Sequence, residues 1–160
     1  MATLQDIEQK RKSGIKTFLI VFPTASGKFK IVEEDMRIVA SKTADFKALI
    51  LAPNTNIVKD WHRRIEDSLK EYKADIEVNT FAYMVRNYTS VLPNEYSYIV
   101  IDEAHHAAAP MLKRVIQYFT PLFMVGLTAT DQRPDKKKLE SVFGSYKNET
   151  RYENNYLAKM

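Results

Sequence analysis

The segment Val100-Ile101-Asp102-Glu103-Ala104-His105 decides the fold, because a short apolar run ends abruptly in two carboxylates and a histidine. A second apolar run, residues 17–22, leads into Pro23-Thr24-Ala25-Ser26-Gly27-Lys28, a loop of small residues that ends in a lysine. Two acidic residues at the mouth of a buried strand are costly unless a cation meets them. A lysine can pair with phosphates, and carboxylates can hold Mg²⁺ and orient a water. Together the two segments predict a site for ATP and Mg²⁺.

Apolar runs that alternate with helical patterns predict an α/β fold with a mainly parallel sheet, covered by helices on both faces. Apolar and β-branched residues predict strands over residues 17–22, 48–52, 76–80, 96–101 and 123–127. Helical spacing predicts helices over residues 4–13, 55–72, 81–88, 111–119 and 134–143, and apolar residues also recur at helical spacing between 31 and 39. Ligands of such sheets bind at the carboxyl ends of the strands, and both the lysine loop and the acidic segment follow a predicted strand.

Four segments carry a resemblance to a known family. They are residues 23–28, Leu51-Ala52-Pro53-Asn54, Asp102-Glu103-Ala104-His105 and Gly126-Leu127-Thr128-Ala129-Thr130. In this order they resemble motifs I, Ia, II and III of the first RecA-like motor domain of superfamily 2 helicases and translocases, of the type with a DEAH box. Residues 126–135 are most similar to the branch of restriction-enzyme motor subunits and DNA-repair translocases. The resemblance implies a P-loop NTPase domain over residues 1–145, followed by a segment, 146–160, that leads toward a second motor domain.

The phosphate loop departs from the family pattern at one position. The resemblance makes residues 23–28 and Phe29 the nucleotide-binding loop, with the backbone amides and Lys28 on the phosphates. The family pattern has a serine or threonine after the lysine, whose hydroxyl ligates Mg²⁺, whereas Phe29 cannot ligate a cation and needs a buried place beside the nucleotide. Three explanations remain open: a degenerate motor, an engineered or mutated sequence, or a motor in which water replaces the hydroxyl.

The resemblance also assigns roles to the acidic motif. Asp102 would bind Mg²⁺, usually through water, and Glu103 would orient or deprotonate the attacking water. His105 would couple the nucleotide state to Thr128 and Thr130 of motif III or to the second motor domain. An isolated Asp-Glu pair could equally be a helix cap that the helix dipole favours.

Motif Ia implies contacts with nucleic acid. In the family this loop touches the sugar-phosphate backbone, which points to Pro53, Asn54 and Thr55, and Thr80 ends the third predicted strand where similar contacts arise. Backbone contacts do not read sequence, so we expect sequence-independent binding. The branch that residues 126–135 resemble implies DNA rather than RNA as the partner. Asn54 could also be a helix N-cap, and both roles can hold. We expect the basic residues of the following helix, Arg64 among them, to form a solvated face.

The length and composition of the chain limit the kinds of protein that it can be. The 160 residues suit one domain with a sizeable core, a net charge of +4 permits nucleic-acid binding, and the absence of cysteine excludes a disulfide framework. We therefore expect a cytoplasmic protein without a membrane segment. The favoured function is the ATP-binding domain of a DNA-dependent ATPase, nearly inactive alone because the arginine finger belongs to the second domain. The alternative is a non-hydrolysing nucleic-acid-binding or regulatory module with a degenerate phosphate loop.

Overall fold

The computed structural model describes residues 2–14, 16–22 and 27–129. In these ranges the chain forms one sheet of five parallel strands in the order β1-β5-β4-β2-β3. The strands are β1 (Thr17–Phe22), β2 (Ala48–Ala52), β3 (Ile76–Thr80), β4 (Tyr98–Ile101) and β5 (Phe123–Ala129). The α/β class and the parallel sheet that the sequence predicts are both confirmed.

Five α-helices connect and cover the described strands: α1 (Ala2–Lys12), α2 (Lys28–Lys42), α3 (Thr55–Ser68), α4 (Phe81–Asn87) and α5 (Pro110–Tyr118). Short 3₁₀ segments lie at Lys70–Asp75, Tyr88–Ser90 and Ala104–Ala108. Because β2 and β4 are buried at every position, their apolar sequences have no polar alternation, as expected of strands covered on both faces. One core cluster joins the sheet to α1, α2 and α3, and a second joins it to α4 and α5.

Several predicted boundaries differ from the structure: α1 begins at Ala2 rather than residue 4, for example, and β5 ends at Ala129 rather than residue 127. Two further differences have identifiable reasons. The helix predicted over residues 55–72 ends at Ser68, because buried Leu69 leaves helical geometry at φ −130° and the chain continues as a 3₁₀ turn. The strand predicted from residue 96 begins at Tyr98, because the side chain of Ser97 is hydrogen-bonded to the backbone of Lys47. The Ser97 hydroxyl oxygen accepts from the Lys47 N–H at 3.0 Å. The helix predicted over 134–143 and the domain boundary predicted at residue 145 lie outside the described residues.

Parallel strands bring the segments that follow them to one edge of the sheet. The backbone N–H of Asp102 donates to the carbonyl oxygen of Leu51 at 2.8 Å, so the first residue after β4 is still held by the ladder with β2. On the other side, β5 lies between β4 and β1, and Thr128 is paired in register with Val21. The carboxyl ends of β1 and β4 thereby lie at one edge of the sheet. Among the described helices, none is long and apolar enough to cross a bilayer.

Candidate functional site

Lys28 is the first residue of α2, and it points to the acidic motif. Gly27 precedes it with φ +91°, a left-handed conformation that favours glycine and turns the chain from the loop into the helix. The Lys28 Nζ donates to both carboxylate oxygens of Asp102, at 3.0 and 3.1 Å. The Lys28 side chain is 14% exposed and that of Asp102 is 1% exposed. Residues 23–26, which the resemblance places on the phosphates, lie outside the described residues.

Asp102 accepts hydrogen bonds from two further donors. The indole Nε1 of Trp61 donates to Oδ2 at 2.8 Å, and the backbone N–H of Glu103 donates to Oδ1 at 2.8 Å. Both oxygens of this buried carboxylate are therefore satisfied by donors on α2, on α3 and in its own loop. A negative charge at this depth is tolerated because it is paired and hydrogen-bonded.

Phe29 occupies a partly buried position against α3. Its ring meets that of Trp61 edge to face, with centroids 4.6 Å apart and an interplanar angle of 65°. The charged groups of Lys28 and Arg64 lie 5.2 and 5.3 Å from the Phe29 ring centroid. The ring that stands in place of the hydroxyl is thus packed beside the residues that hold Asp102.

Glu103 departs from regular geometry directly after the strand. Its φ of 49° and ψ of 55° are left-handed, which costs a non-glycine residue about 1–2 kcal/mol. From this position its carboxylate oxygen Oε1 lies 3.8 Å from the Nε2 atoms of both His105 and His106. One donor atom from each of these three side chains lies within 4.8 Å of the others. The Glu103 carboxylate, 30% exposed at the sheet edge, remains open to solvent on one side.

His105 and motif III are in contact. The Nδ1 of His105 lies 3.2 Å from the Thr128 hydroxyl oxygen, and Thr128 is buried in β5. This contact joins the loop after β4 to the neighbouring strand. Thr130, the second motif III residue that the resemblance assigns to coupling, lies outside the described residues.

The loops after β2 and β3 carry side-chain caps. The Asn54 Oδ1 accepts from the Ile57 backbone N–H at 3.0 Å, and the Thr80 Oγ1 accepts from the Tyr83 N–H at 3.1 Å. Asn54 therefore is the helix N-cap that the sequence allowed, and Thr55, the first residue of α3, is exposed. An apolar groove of about 570 Å³ lies between Pro53, the start of α4 and His106, which places motif Ia and the loop after β4 on one surface.

A second buried cluster lies at the amino end of β4, away from the site. Arg11 of α1 forms a two-point ion pair with Asp35 of α2 at 2.6 and 2.8 Å, and the Tyr98 hydroxyl donates to Asp35 at 2.5 Å. Burial, followed by the neighbouring Asp35 carboxylate, raises the pKa of the Tyr98 hydroxyl well above its usual range. This cluster fixes α1 and α2 to the sheet and so supports the helix that begins at Lys28.

The sequence missed two contributors to the site. Trp61 was visible only as an apolar position of α3, and nothing in its spacing indicates that its N–H meets a carboxylate 41 residues later. Arg64 was expected on a solvated face, and its side chain is 42% exposed, but it also makes specific contacts: its Nε donates at 3.0 Å to Glu33, which is buried on α2, and its guanidinium covers Phe29. A buried acid inside an apolar helical pattern, as Glu33 is, was the available signal that a basic partner packs against it.

Comparison with known proteins assigns the chain to a family. Residues 1–133 match the family model described as type III restriction enzyme, res subunit. A curated relative, the DNA 3′-5′ translocase XPB2 of Sulfurisphaera tokodaii, is 31% identical over an alignment of 142 positions that covers 80% of this chain. The chain spans 29% of the length of that relative.

Solved structures share the fold at lower identity. The SWI2/SNF2 ATPase core of Sulfolobus solfataricus, in complex with dsDNA, matches 90% of this chain at 19% identity with a TM-score of 0.71, the chain covering 36% of it. The Hef helicase domain of Pyrococcus furiosus matches 90% at 21% identity with a TM-score of 0.70, again covering 36% of that structure. The UvsW helicase of bacteriophage T4 matches 88% at 17% identity with a TM-score of 0.63, and the chain covers 56% of it.

Proposed function

Because this chain belongs to the family described as type III restriction enzyme, res subunit, and is the first motor domain of a superfamily 2 helicase or translocase, we propose that it binds ATP with Mg²⁺ and the backbone of DNA. In the full-length motor this binding would drive hydrolysis and movement along DNA. Alone, the chain covers 29% of a curated relative and would turn over little ATP.

The contact between Lys28 and Asp102 is the observation that carries the nucleotide proposal. A partly buried lysine and a buried carboxylate meet at the carboxyl edge of a parallel sheet, where the first residue of α2 follows the loop of small residues. Lys28 and Asp102 neutralise each other's charge. ATP with Mg²⁺ would supply each of them with a new partner of opposite charge, the phosphates for Lys28 and the cation for Asp102. The donor set therefore fits the group that the family uses.

In this scheme the chain's own residues divide the work. Lys28 would stabilise charge on the terminal phosphates, Asp102 would hold the cation, which supplies charge neutralisation at the phosphates, and Glu103 would accept a proton from water. The contact of His105 with Thr128 would link the site to the strand beside it. DNA would lie along the loops after β2 and β3, against Pro53, Asn54, Thr55 and Thr80, through contacts that read no sequence.

Nucleotide titration of the 160-residue chain tests the proposal. We expect a fluorescent ATP analogue to bind with and without Mg²⁺, Lys28→Ala to weaken both modes at least tenfold, and Asp102→Asn to weaken only the Mg²⁺-dependent part. Lys30→Ala is the matched control, because Lys30 is two residues further along α2 with a 63% exposed side chain paired to Glu34. Equal affinity of the Lys28→Ala and Lys30→Ala variants would sink the proposal.

A non-hydrolysing module is the second candidate, favoured by Phe29 in place of the hydroxyl. It predicts nucleotide binding that Mg²⁺ does not strengthen. Turnover would separate the two functions once the chain is joined to the second motor domain: a rate of order 1 s⁻¹ or more is typical of an enzyme and excludes the module.

A further inference from the structure

Trp61 makes the contact that neither the motifs nor the family match assigns. It is the only tryptophan of the 160 residues and is fully buried on α3. Its Nε1 donates to Asp102 Oδ2 at 2.8 Å, a hydrogen bond buried from solvent between two residues that are 41 positions apart. A buried indole N–H requires an acceptor, and here the acceptor is the carboxylate expected to hold the cation.

The donors around Asp102 differ in what they can do when a ligand arrives. Lys28 is flexible and partly exposed, and phosphates would draw its ammonium away from both oxygens. The Glu103 N–H and the Trp61 N–H cannot leave, since one is backbone and the other belongs to a side chain packed in the core. After Lys28 moves, Oδ1 and Oδ2 would each keep one fixed donor and each regain a free lone pair in a set direction.

Phe29 supports Trp61 in that role. The Phe29 ring meets the indole edge to face at 4.6 Å and is itself covered by the Arg64 guanidinium, whose Nε is anchored at 3.0 Å by buried Glu33. The indole is thus held from the α2 side by an aromatic ring, at the position where the family pattern has a metal-ligating hydroxyl. At this position the chain lacks the hydroxyl that would bind the cation. It has instead a ring that packs against Trp61, the residue that donates to the other expected ligand, Asp102.

We propose that Trp61 is a positioning residue for Asp102, that Phe29 braces it, and that its indole reports on the occupancy of the site. The proposal rests on the proposed nucleotide function. Groups that orient metal ligands from outside typically contribute about 10- to 100-fold in metal affinity. Trp61 therefore acts on the Mg²⁺-dependent part of nucleotide binding and leaves the Mg²⁺-independent part unchanged.

Trp61→Phe removes the N–H and keeps an aromatic ring against Phe29. We expect the Mg²⁺-dependent gain in affinity for a fluorescent ATP analogue to fall about tenfold, with affinity in EDTA unchanged within twofold. Tyr96→Phe is the matched control: it also deletes a buried aromatic donor, the hydroxyl that donates to Glu77 at 2.7 Å, but Tyr96 precedes β4 and so lies at the opposite end of that strand from Asp102. If both variants change Mg²⁺ dependence equally, or neither does, Trp61 has only a structural role.

Tryptophan emission of the unmodified chain supplies a second readout that needs no core substitution. We expect ATP with Mg²⁺ to shift the intensity or wavelength of Trp61 emission, ATP in EDTA to shift it differently, and Asp102→Asn to change the ligand-free spectrum. If neither the ligand nor the Asp102→Asn substitution changes the emission spectrum of Trp61, the proposal is overturned, even if Trp61→Phe does not fold. The two failures are distinguishable: loss of Lys28-dependent binding refutes the nucleotide function, whereas retained binding with unchanged Mg²⁺ dependence refutes only the role of Trp61.

Discussion

Phe29, the single residue that departs from the family's phosphate loop, makes specific packing contacts in the fold. Its ring contacts Trp61 at 4.6 Å and lies beneath Arg64, so the departure from the family's phosphate loop has its own set of partners. The proposed cation site therefore offers one oxygen ligand fewer than the family pattern supplies, whereas Trp61, which donates to Asp102, gains a packing partner. These two effects oppose each other in Mg²⁺ binding and can be separated by substitution.

Phe29→Thr should strengthen Mg²⁺-dependent nucleotide binding while lowering stability. The hydroxyl restores one oxygen ligand, whereas loss of a half-buried ring and its aromatic contact costs about 2–3 kcal/mol in the free energy of unfolding. The measurements are analogue titration with and without Mg²⁺ and urea unfolding. Phe29→Leu is the control that keeps apolar volume without a hydroxyl, and it should lose stability without gaining Mg²⁺ dependence. Equal Mg²⁺ dependence in both variants would mean that residue 29 does not face the cation.

At the scale of elements, the sequence predicted most of what depends on local pattern. Continuous apolar runs predicted the strands, because burial on both faces leaves no polar alternation, and motif order predicted that Lys28 and Asp102 share an edge. It could not predict that Trp61 meets Asp102 or that Arg64 meets Glu33, because these contacts join different elements and depend on how α3 packs against its neighbours. Leu69 ended α3 early for the same reason: its burial in the core outweighs the helical spacing around it.

Asn54 caps α3 and is also one of the residues proposed to contact DNA, and substitution can separate the two roles. Asn54→Ala should lower the free energy of unfolding by about 1 kcal/mol, because the Ile57 N–H loses its side-chain acceptor. Asn54→Ser keeps a capping oxygen and should retain stability. If Asn54 also contacts DNA through its side chain, both variants weaken DNA binding; if it acts only as a cap, the serine variant binds normally. Urea unfolding and anisotropy on one oligonucleotide read the two effects separately.

A buried cluster links three elements through Tyr98 of β4, Asp35 of α2 and Arg11 of α1. We expect the free energy of unfolding that this cluster contributes to fall at alkaline pH. The pKa of the Tyr98 hydroxyl is raised in the folded chain, so the unfolded chain loses its proton first, near pH 10, and folding opposes that loss. The stabilisation is complete below about pH 10 and declines above it, by about 1.4 kcal/mol per pH unit relative to Tyr98→Phe. Urea unfolding from pH 8 to 11 compares the two chains. Parallel curves would contradict the raised pKa.

Taken as a whole, the chain is shorter than the relatives that it matches. It spans 29% of the curated relative and 36% of two solved motors that share its fold. The loops proposed to touch DNA offer backbone amides, short polar side chains and nearby basic residues, and the net charge is modest at +4. These features suit weak backbone contacts, so we expect most of the grip on DNA to come from outside this domain.

DNA binding by the chain alone should therefore be weak, independent of sequence and steeply dependent on salt. Neutralising a few phosphates releases counterions, so affinity should fall about tenfold or more between roughly 50 and 200 mM salt. Anisotropy titrations with three unrelated oligonucleotides at both salt concentrations measure this. Tight binding to one oligonucleotide that persists at the higher salt would instead indicate base readout and favour a recognition module.

The strand order has a consequence for the way the chain folds as it is synthesised. Among the described strands, β1 has β5 as its only neighbour, and Val21 pairs with a residue more than one hundred positions later. Strands β2, β3 and β4 can assemble as soon as they leave the ribosome, whereas β1 must wait, extended and apolar, until β5 has emerged. Long-range parallel pairing of this kind is slow and exposes a strand edge meanwhile. The end of β1, which leads to the proposed phosphate loop, is therefore the last strand end at this edge to gain its neighbour, and until then the nascent chain presents an unpaired apolar segment.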